Sequence, residues 1–277
     1  MTTNILANGC SFTFGHGSIQ YPDTGETMPP RTWVWPFALE RRDPNIKCNN
    51  ISIGGASNNR ILRTTIDSIE KETPDAVIVQ WTSPFRSEWY DEFWETFYTL
   101  VPGNVTDEMQ RNIQALKMFG EPCVFIPVPK LKNYGPHTEY FEKVTTASQH
   151  YQAYMENHTN AIIDFCKDVL VLQSYLDKKK IPYLFSGMSN SCMLGRKDGP
   201  DIWSILDWAN EKPIDYIIQL RKEINPEKWT HYAFSRMMAD NIVSKEPYDP
   251  HPNNLGHELI ARELHKEIVR RDLLKDN

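Results

Sequence analysis

Short unbroken apolar runs alternate with segments of helical periodicity over the first third of the chain. Asn4 to Asn8 is a brief apolar run stopped by Gly9, and it reads as a buried first strand. Trp33 to Arg42 has helical character, with Pro36 placed where a first turn tolerates it. Cys48 to Ile53 reads as a second strand ended by Gly54-Gly55. Ser57 is placed to cap the next helix, which sets Leu62, Ile66 and Ile69 on one face. Ala76 to Trp81 (AVIVQW) is the clearest strand, an unbroken run behind Pro74. A β-α-β-α-β start of this kind predicts a parallel sheet with helices on both faces.

The alternation then lapses. Residues from about 84 to 180 hold helical patterns and one short strand candidate, Cys123 to Val128. Ser87 to Leu100 is aromatic-rich and reads as a helix, and Tyr140 to Lys180 is mostly helical in character. This stretch is expected to be a mainly helical insertion bordering a site within a single domain spanning 1–277. Ile181 to Ser186 resumes the sheet. Asp201 to Asn210 and Trp229 to Asp240 read as helical. Asn254 to Arg271 is a strong final helix, with Leu255, Leu259, Leu264 and Ile268 near helical spacing.

The 277 residues suffice for a large core without disulfide or metal staples. A formal net charge of −6 argues against broad nucleic-acid or anionic-membrane binding. The N-terminus lacks a basic segment followed by an apolar one, and no apolar run reaches the length of a membrane span. Cys10, Cys48, Cys123, Cys166 and Cys192 are odd in number and widely spaced, which reads as free thiols in a reducing compartment, the cytoplasm. No pattern of metal ligands occurs, and no lysine follows the glycines of 9–17 as a phosphate loop requires, so no metal or cofactor is expected.

Two segments carry candidate chemistry. The first, Gly9-Cys10-Ser11-Phe12-Thr13-Phe14-Gly15, follows the first strand directly, so Ser11 falls at the carboxyl end of a sheet strand, where open α/β folds bind ligands. Taken alone it also fits a plain strand-to-helix turn with a capping serine. The second, Asp249-Pro250-His251-Pro252-Asn253-Asn254-Leu255-Gly256-His257, precedes the last helix. A histidine base needs an acceptor to fix its tautomer, and Asp249, two residues away in a proline-stiffened loop, supplies one.

Together these segments resemble the SGNH (GDSL-like) hydrolases, which carry a Gly-Asp-Ser block after the first strand and an Asp-x-x-His block near the C-terminus. Ile53-Gly54-Gly55-Ala56-Ser57-Asn58 is similar to that family's second block. The resemblance implies a three-layer α/β/α fold with a mostly parallel, flavodoxin-like sheet. It further implies a serine esterase with Ser11 as nucleophile, His251 as base, Asp249 orienting it, and Gly55 in the oxyanion hole. The substrates it implies are small-molecule or carbohydrate esters, with O-acetyl sugars preferred because the 84–180 region is aromatic-rich.

Three positions depart from the family pattern. Cys10 stands where the first block has aspartate. The last block is Asp-x-His, with Tyr248 at the usual acid position. The third block, normally Gly-x-Asn-Asp, reads Gln80-Trp81-Thr82-Ser83, so the oxyanion asparagine is missing. Asn58 is the first candidate to replace it, with Thr82 and Ser83 next. The Asn-Gly-Cys-Ser-Phe-Thr opening and the Gln-Trp-Thr-Ser segment resemble phage-encoded members; for a phage-encoded protein the resemblance implies a host cytoplasm or a virion. An acyltransferase and a catalytically silent binding or virion module remain open alternatives.

Arg60, Arg63 and Arg86 follow the second and third blocks, where an arginine rim for an anionic group competes with ordinary solvated helix charge; only Arg86 is retained as a substrate-binding candidate. His16 reads as a surface loop residue. His257 and His265 read as charge on the last helix. Trp81, Trp89, Tyr90, Phe93 and Trp94 serve either as core or as a stacking wall.

Overall fold

The computed structural model describes residues 2–15, 33–91, 96–102, 123–126, 158–189, 192–193, 215–243 and 251–274. Four strands form a parallel sheet: β1 (Thr3–Asn8), β2 (Ile46–Asn50), β3 (Ala76–Trp81) and, after a second small sheet, β7 (Tyr183–Gly187). Their order is β2-β1-β3-β7, with Thr3 opposite Ile46, Ile5 opposite Ala76 and Val77 opposite Tyr183.

The helices are α1 (Ser11–Phe14), α2 (Trp35–Arg42), α3 (Asn58–Lys71), α4 (His158–Lys179), α5 (Asp215–Glu223), α6 (Phe234–Met237) and α7 (Asn254–Arg270). The step from β1 to β2 runs one way across the sheet, and the steps from β2 to β3 and from β3 to β7 run the other. Right-handed crossovers then put α2 on one face and α3 and α4 on the opposite one. The packing agrees: α7 lies on α2, while α3 packs on α4 and α4 on α5. The expected α/β architecture with helices flanking a parallel sheet is the one observed.

β1 and β3 occupy the centre of the sheet and are apolar nearly throughout. Ile5, Ala7, Val77, Ile78 and Val79 have no exposed surface. Trp81 is core: it meets Phe165 edge-on at 6.0 Å and Phe185 at 5.5 Å. In α3, Ile61 and Ile69 are fully buried, with Leu62 and Ile66 packed beside them. Ser57 caps this helix, its hydroxyl accepting from Arg60 N at 3.2 Å. Cys10, Cys48, Cys166 and Cys192 are buried free thiols.

Several expectations are corrected. The second strand starts at Ile46, not Cys48, because its alternation of buried Ile46 and Cys48 with outward Lys47 and Asn49 pairs with β1, whereas Ile51 to Ile53 lead into the glycine turn. Ser87 to Leu100 is not helical. β4 (Ser87–Asp91) and β5 (Thr96–Pro102) pair antiparallel, and β6 (Cys123–Ile126) joins β5 in parallel. Aromatic residues favour a pleated surface, and Pro84 and Pro102 bound the segment. The region expected to be a mainly helical insertion thus contains a three-stranded sheet.

Trp229 to Asp240 is only partly helical. Trp229 is buried edge-on to Phe185, and Thr230 N donates to Phe185 O at 2.8 Å, so the chain extends along β7 before α6 begins. Helix α5 has no counterpart in the sequence reading. The readings for Phe93, Trp94, Tyr140 to Asn157, Asp201 to Asn210 and His16 lie outside the described residues. Among the described residues, no helix is long and apolar enough to cross a membrane.

Candidate active site

With β1 flanked by β2 and β3, the chain leaves β1 for one side and returns to the other. The carboxyl ends of β1 and β3 therefore border the crevice where an open α/β sheet binds ligands. Ser11 follows β1 there, and Thr82 and Ser83 follow β3. Cys10 has extended backbone (φ −98, ψ −155) and N-caps α1, a single turn closed by Gly15 in the left-handed region. Ser11 is the first residue of that turn and is 5 % exposed.

The Ser11 hydroxyl donates to Cys10 Sγ at 3.8 Å. Phe12, its neighbour, packs its ring on the imidazole of His251, with centroids 5.4 Å apart and planes tilted by 47°. The two ends of the chain thus meet beside α1. The loop of His251 is pinned by Val243 N donating to His251 O at 2.8 Å and by Asn253 Nδ2 donating to Ile242 O at 3.1 Å. Asn253 caps α7, accepting from Gly256 N at 2.9 Å. Asp249 and Tyr248 lie outside the described residues.

Gly55 adopts φ 80, a left-handed conformation that suits glycine. Among the described residues, the backbone N–H groups of Ser11 and Gly55 have no acceptor. Asn58 is engaged elsewhere. Its Oδ1 accepts from Thr82 N at 2.9 Å, and its Nδ2 donates to Thr82 O at 3.2 Å and Ser83 O at 3.4 Å. Ser57, not Asn58, caps α3, so Asn58 clamps the loop after β3. Thr82 Oγ1 bonds to the thioether Met188 Sδ at 3.9 Å and to the Cys10 thiol, and Ser83 Oγ accepts from Phe85 N at 3.3 Å.

Of the three arginines, Arg63 forms a two-pronged pair with Glu88 on β4, Nε to Oε2 at 3.1 Å and NH2 to Oε1 at 2.8 Å. Arg60 is buried in α3. Arg86 reaches back to the glycine loop, NH1 donating to Ala56 O at 3.4 Å. Burial pushes the Cys10 thiol up, but the Arg86 charge, the Thr82 hydroxyl and the Phe12 N–H outweigh it and hold the thiol below its ordinary range.

His257 is not a surface charge. It is fully buried, its Nδ1 accepts from Trp35 N at 3.3 Å, and burial, with His251 nearby, pushes its pKa down to about 3. His265 pairs with Asp43 at 3.6 Å. The sequence reading missed Gln80, Thr13 and Trp35, whose polar atoms interlock behind Ser11. The available signal was a single amide at the end of an otherwise apolar strand.

No protein-family model matches the chain, and no curated protein does. Solved structures do. The psychrotrophic esterase EstA from Pseudoalteromonas sp., inhibited by monoethylphosphonate, is 12% identical with a TM-score of 0.48, over 97% of this chain and 98% of that one. An acetylxylan esterase from Geobacillus stearothermophilus, solved as a catalytic mutant, is 11% identical with a TM-score of 0.42, over 96% and 94%. A member of the lipolytic protein G-D-S-L family from Veillonella parvula DSM 2008 is 11% identical with a TM-score of 0.40, over 96% and 98%. The solved structures to which this chain is similar therefore include esterases and a lipolytic protein of the G-D-S-L type.

Proposed function

We propose that the protein is a serine ester hydrolase acting through an acyl-enzyme, with Ser11 as nucleophile, His251 as general base and Asp249 as the acid orienting it. The contact between Phe12 and His251 carries this reading, because it brings the histidine of the last loop beside the serine turn at the carboxyl end of β1. His251 takes the Ser11 proton as Oγ attacks the ester carbonyl, then gives a proton to the departing alcohol. Water activated by the same imidazole releases the acid.

The N–H groups of Ser11 and Gly55, without an acceptor among the described residues, support a role in holding the developing oxyanion. Thr82 is the best placed replacement for the family's asparagine: among the described residues its hydroxyl is held by weak bonds to two sulfurs, Met188 Sδ and Cys10 Sγ. Arg86, beside the glycine loop, is a substrate contact. The substrate is a small ester, with O-acetylated carbohydrate preferred because of the aromatic run around Trp89 and Tyr90. The buried free thiols support a reducing, cytoplasmic setting.

A second reading, a binding module without turnover, draws on one observation: the Asn58 amide is engaged with the β3 loop and is not turned to the oxyanion. A fluorophosphonate probe separates the two readings. Labelling at Ser11, lost in Ser11→Ala, supports the hydrolase. No labelling supports the binding module.

A further inference from the structure

Strand β3 is buried along its whole length, and Gln80 lies within it without exposed surface. A primary amide in such a place is costly unless both its ends are bonded. Gln80 meets that demand through the turn that carries Ser11. Its Nε2 donates to Trp81 O at 2.7 Å. Its Oε1 accepts from Cys10 N at 3.1 Å, Cys10 Sγ at 3.3 Å and Thr13 Oγ1 at 3.1 Å.

These contacts bracket Ser11, since Cys10 precedes it and Thr13 lies two residues beyond. The Cys10 N–H is drawn onto Gln80, while the Ser11 N–H stays without an acceptor among the described residues. Gly9 makes the approach possible. A Cβ there would stand 2.5 Å from Thr13 Oγ1 and 2.8 Å from Gln80 Oε1. Trp35 Nε1 donates to Thr13 Oγ1 at 3.2 Å, and Trp35 N donates to the buried His257 on α7. The serine turn is thereby tied both to β3 and to the helix that follows the His251 loop.

We propose that Gln80 is the positioning residue of the serine turn, its amide oxygen holding Cys10 and Thr13 so that Ser11 keeps both its hydroxyl and its N–H available to substrate. The inference rests on Ser11 being the nucleophile. The amide is chemically specific here. An ionised carboxylate accepts from the same donors but sets its second oxygen against the Trp81 carbonyl, whereas a protonated one reproduces the whole pattern. A thioether or alkyl chain leaves the Cys10 N–H and the Thr13 hydroxyl without their acceptor.

The test compares the native full-length chain with Gln80→Glu, Gln80→Met and Ser11→Ala. It measures the rate of fluorophosphonate labelling at Ser11, and kcat and KM on p-nitrophenyl acetate from about pH 5 to about pH 9. Gln80→Met is expected to slow labelling and kcat by about 10- to 100-fold with KM within about 2-fold, the signature of a displaced nucleophile. Gln80→Glu is expected to approach native activity at low pH and to lose it as the buried carboxyl ionises, a dependence that the native chain lacks. If Gln80→Met does not fold, the pH profile of Gln80→Glu decides. Native labelling rates in both variants, or a Gln80→Glu deficit that does not change with pH, would overturn the inference. Absence of label at Ser11 in the native chain would instead overturn the nucleophile reading, and this inference with it.

Discussion

Asn58 and Thr82 form a reciprocal pair: the Asn58 carboxamide accepts from Thr82 N at 2.9 Å and donates to Thr82 O at 3.2 Å. A side chain at the start of α3 thus substitutes for a further strand at the end of β3 and fixes the loop that holds Thr82 and Ser83. Asn58→Ala leaves buried backbone groups without partners, so a loss of about 1–3 kcal/mol in stability is expected, read as a lowered urea midpoint. Thr82→Val keeps the shape and removes only the hydroxyl. If that hydroxyl serves the oxyanion, kcat falls by about 100-fold or more with KM and melting temperature nearly unchanged. Unchanged kcat in Thr82→Val would remove Thr82 from the oxyanion hole.

Ser11→Ala and His251→Ala should each abolish most hydrolysis of a p-nitrophenyl ester while leaving the circular dichroism spectrum intact. Residues that act as a unit are not additive, so the double variant should be little worse than either single one. Full activity in either single variant would exclude that residue from the mechanism.

Gly9 is required by close approach. The added methyl of Gly9→Ala meets Thr13 Oγ1 at 2.5 Å and Gln80 Oε1 at 2.8 Å, both held in place by hydrogen bonds. The expected cost is about 1–3 kcal/mol of stability, with a fall in esterase activity because the strain falls on the serine turn. Thermal unfolding and kcat measured together test this, and an unchanged melting temperature would show that the turn yields freely.

Asp168 on α4 is buried, which pushes its pKa up to about 7, with Asp164 and Glu88 acting in the same direction against the Asn59 amide that donates to it at 2.9 Å. An unfolded carboxyl titrates near pH 4. Between about pH 4 and about pH 7 the folded chain holds the extra proton, so this group's contribution to stability is full at the acid end and is lost as pH rises through about 7. Asp168→Asn should therefore raise the melting temperature at about pH 8 and change it little near pH 4. Each 1 kcal/mol gained corresponds to about 2–4 °C. Equal effects at both pH values would show that ionisation of Asp168 is not the cause.

Local pattern determined much of this protein. The apolar runs at Asn4 to Asn8 and Ala76 to Trp81, the cap at Ser57 and the periodicity after Asn254 specify the central strands and their helices, because burial on both faces needs continuous apolar residues and helix ends need capping groups. Ser11 and His251 stood out by their places next to those elements. Tertiary structure decided what depended on distant partners. The aromatic segment at Ser87 to Asp91 and Thr96 to Pro102 became strands because each supplies the other's backbone partners, which no local period records. His257 reads as an exposed helical charge until Trp35, 222 residues away, donates to its ring in the core. Gln80 reads as one polar residue in an apolar strand until Cys10 and Thr13, some 70 residues earlier, converge on its amide. A hydrogen bond across the sheet joins residues whose spacing along the chain has no fixed relation to their distance in space, so the frame around Ser11 exists only once the sheet has formed.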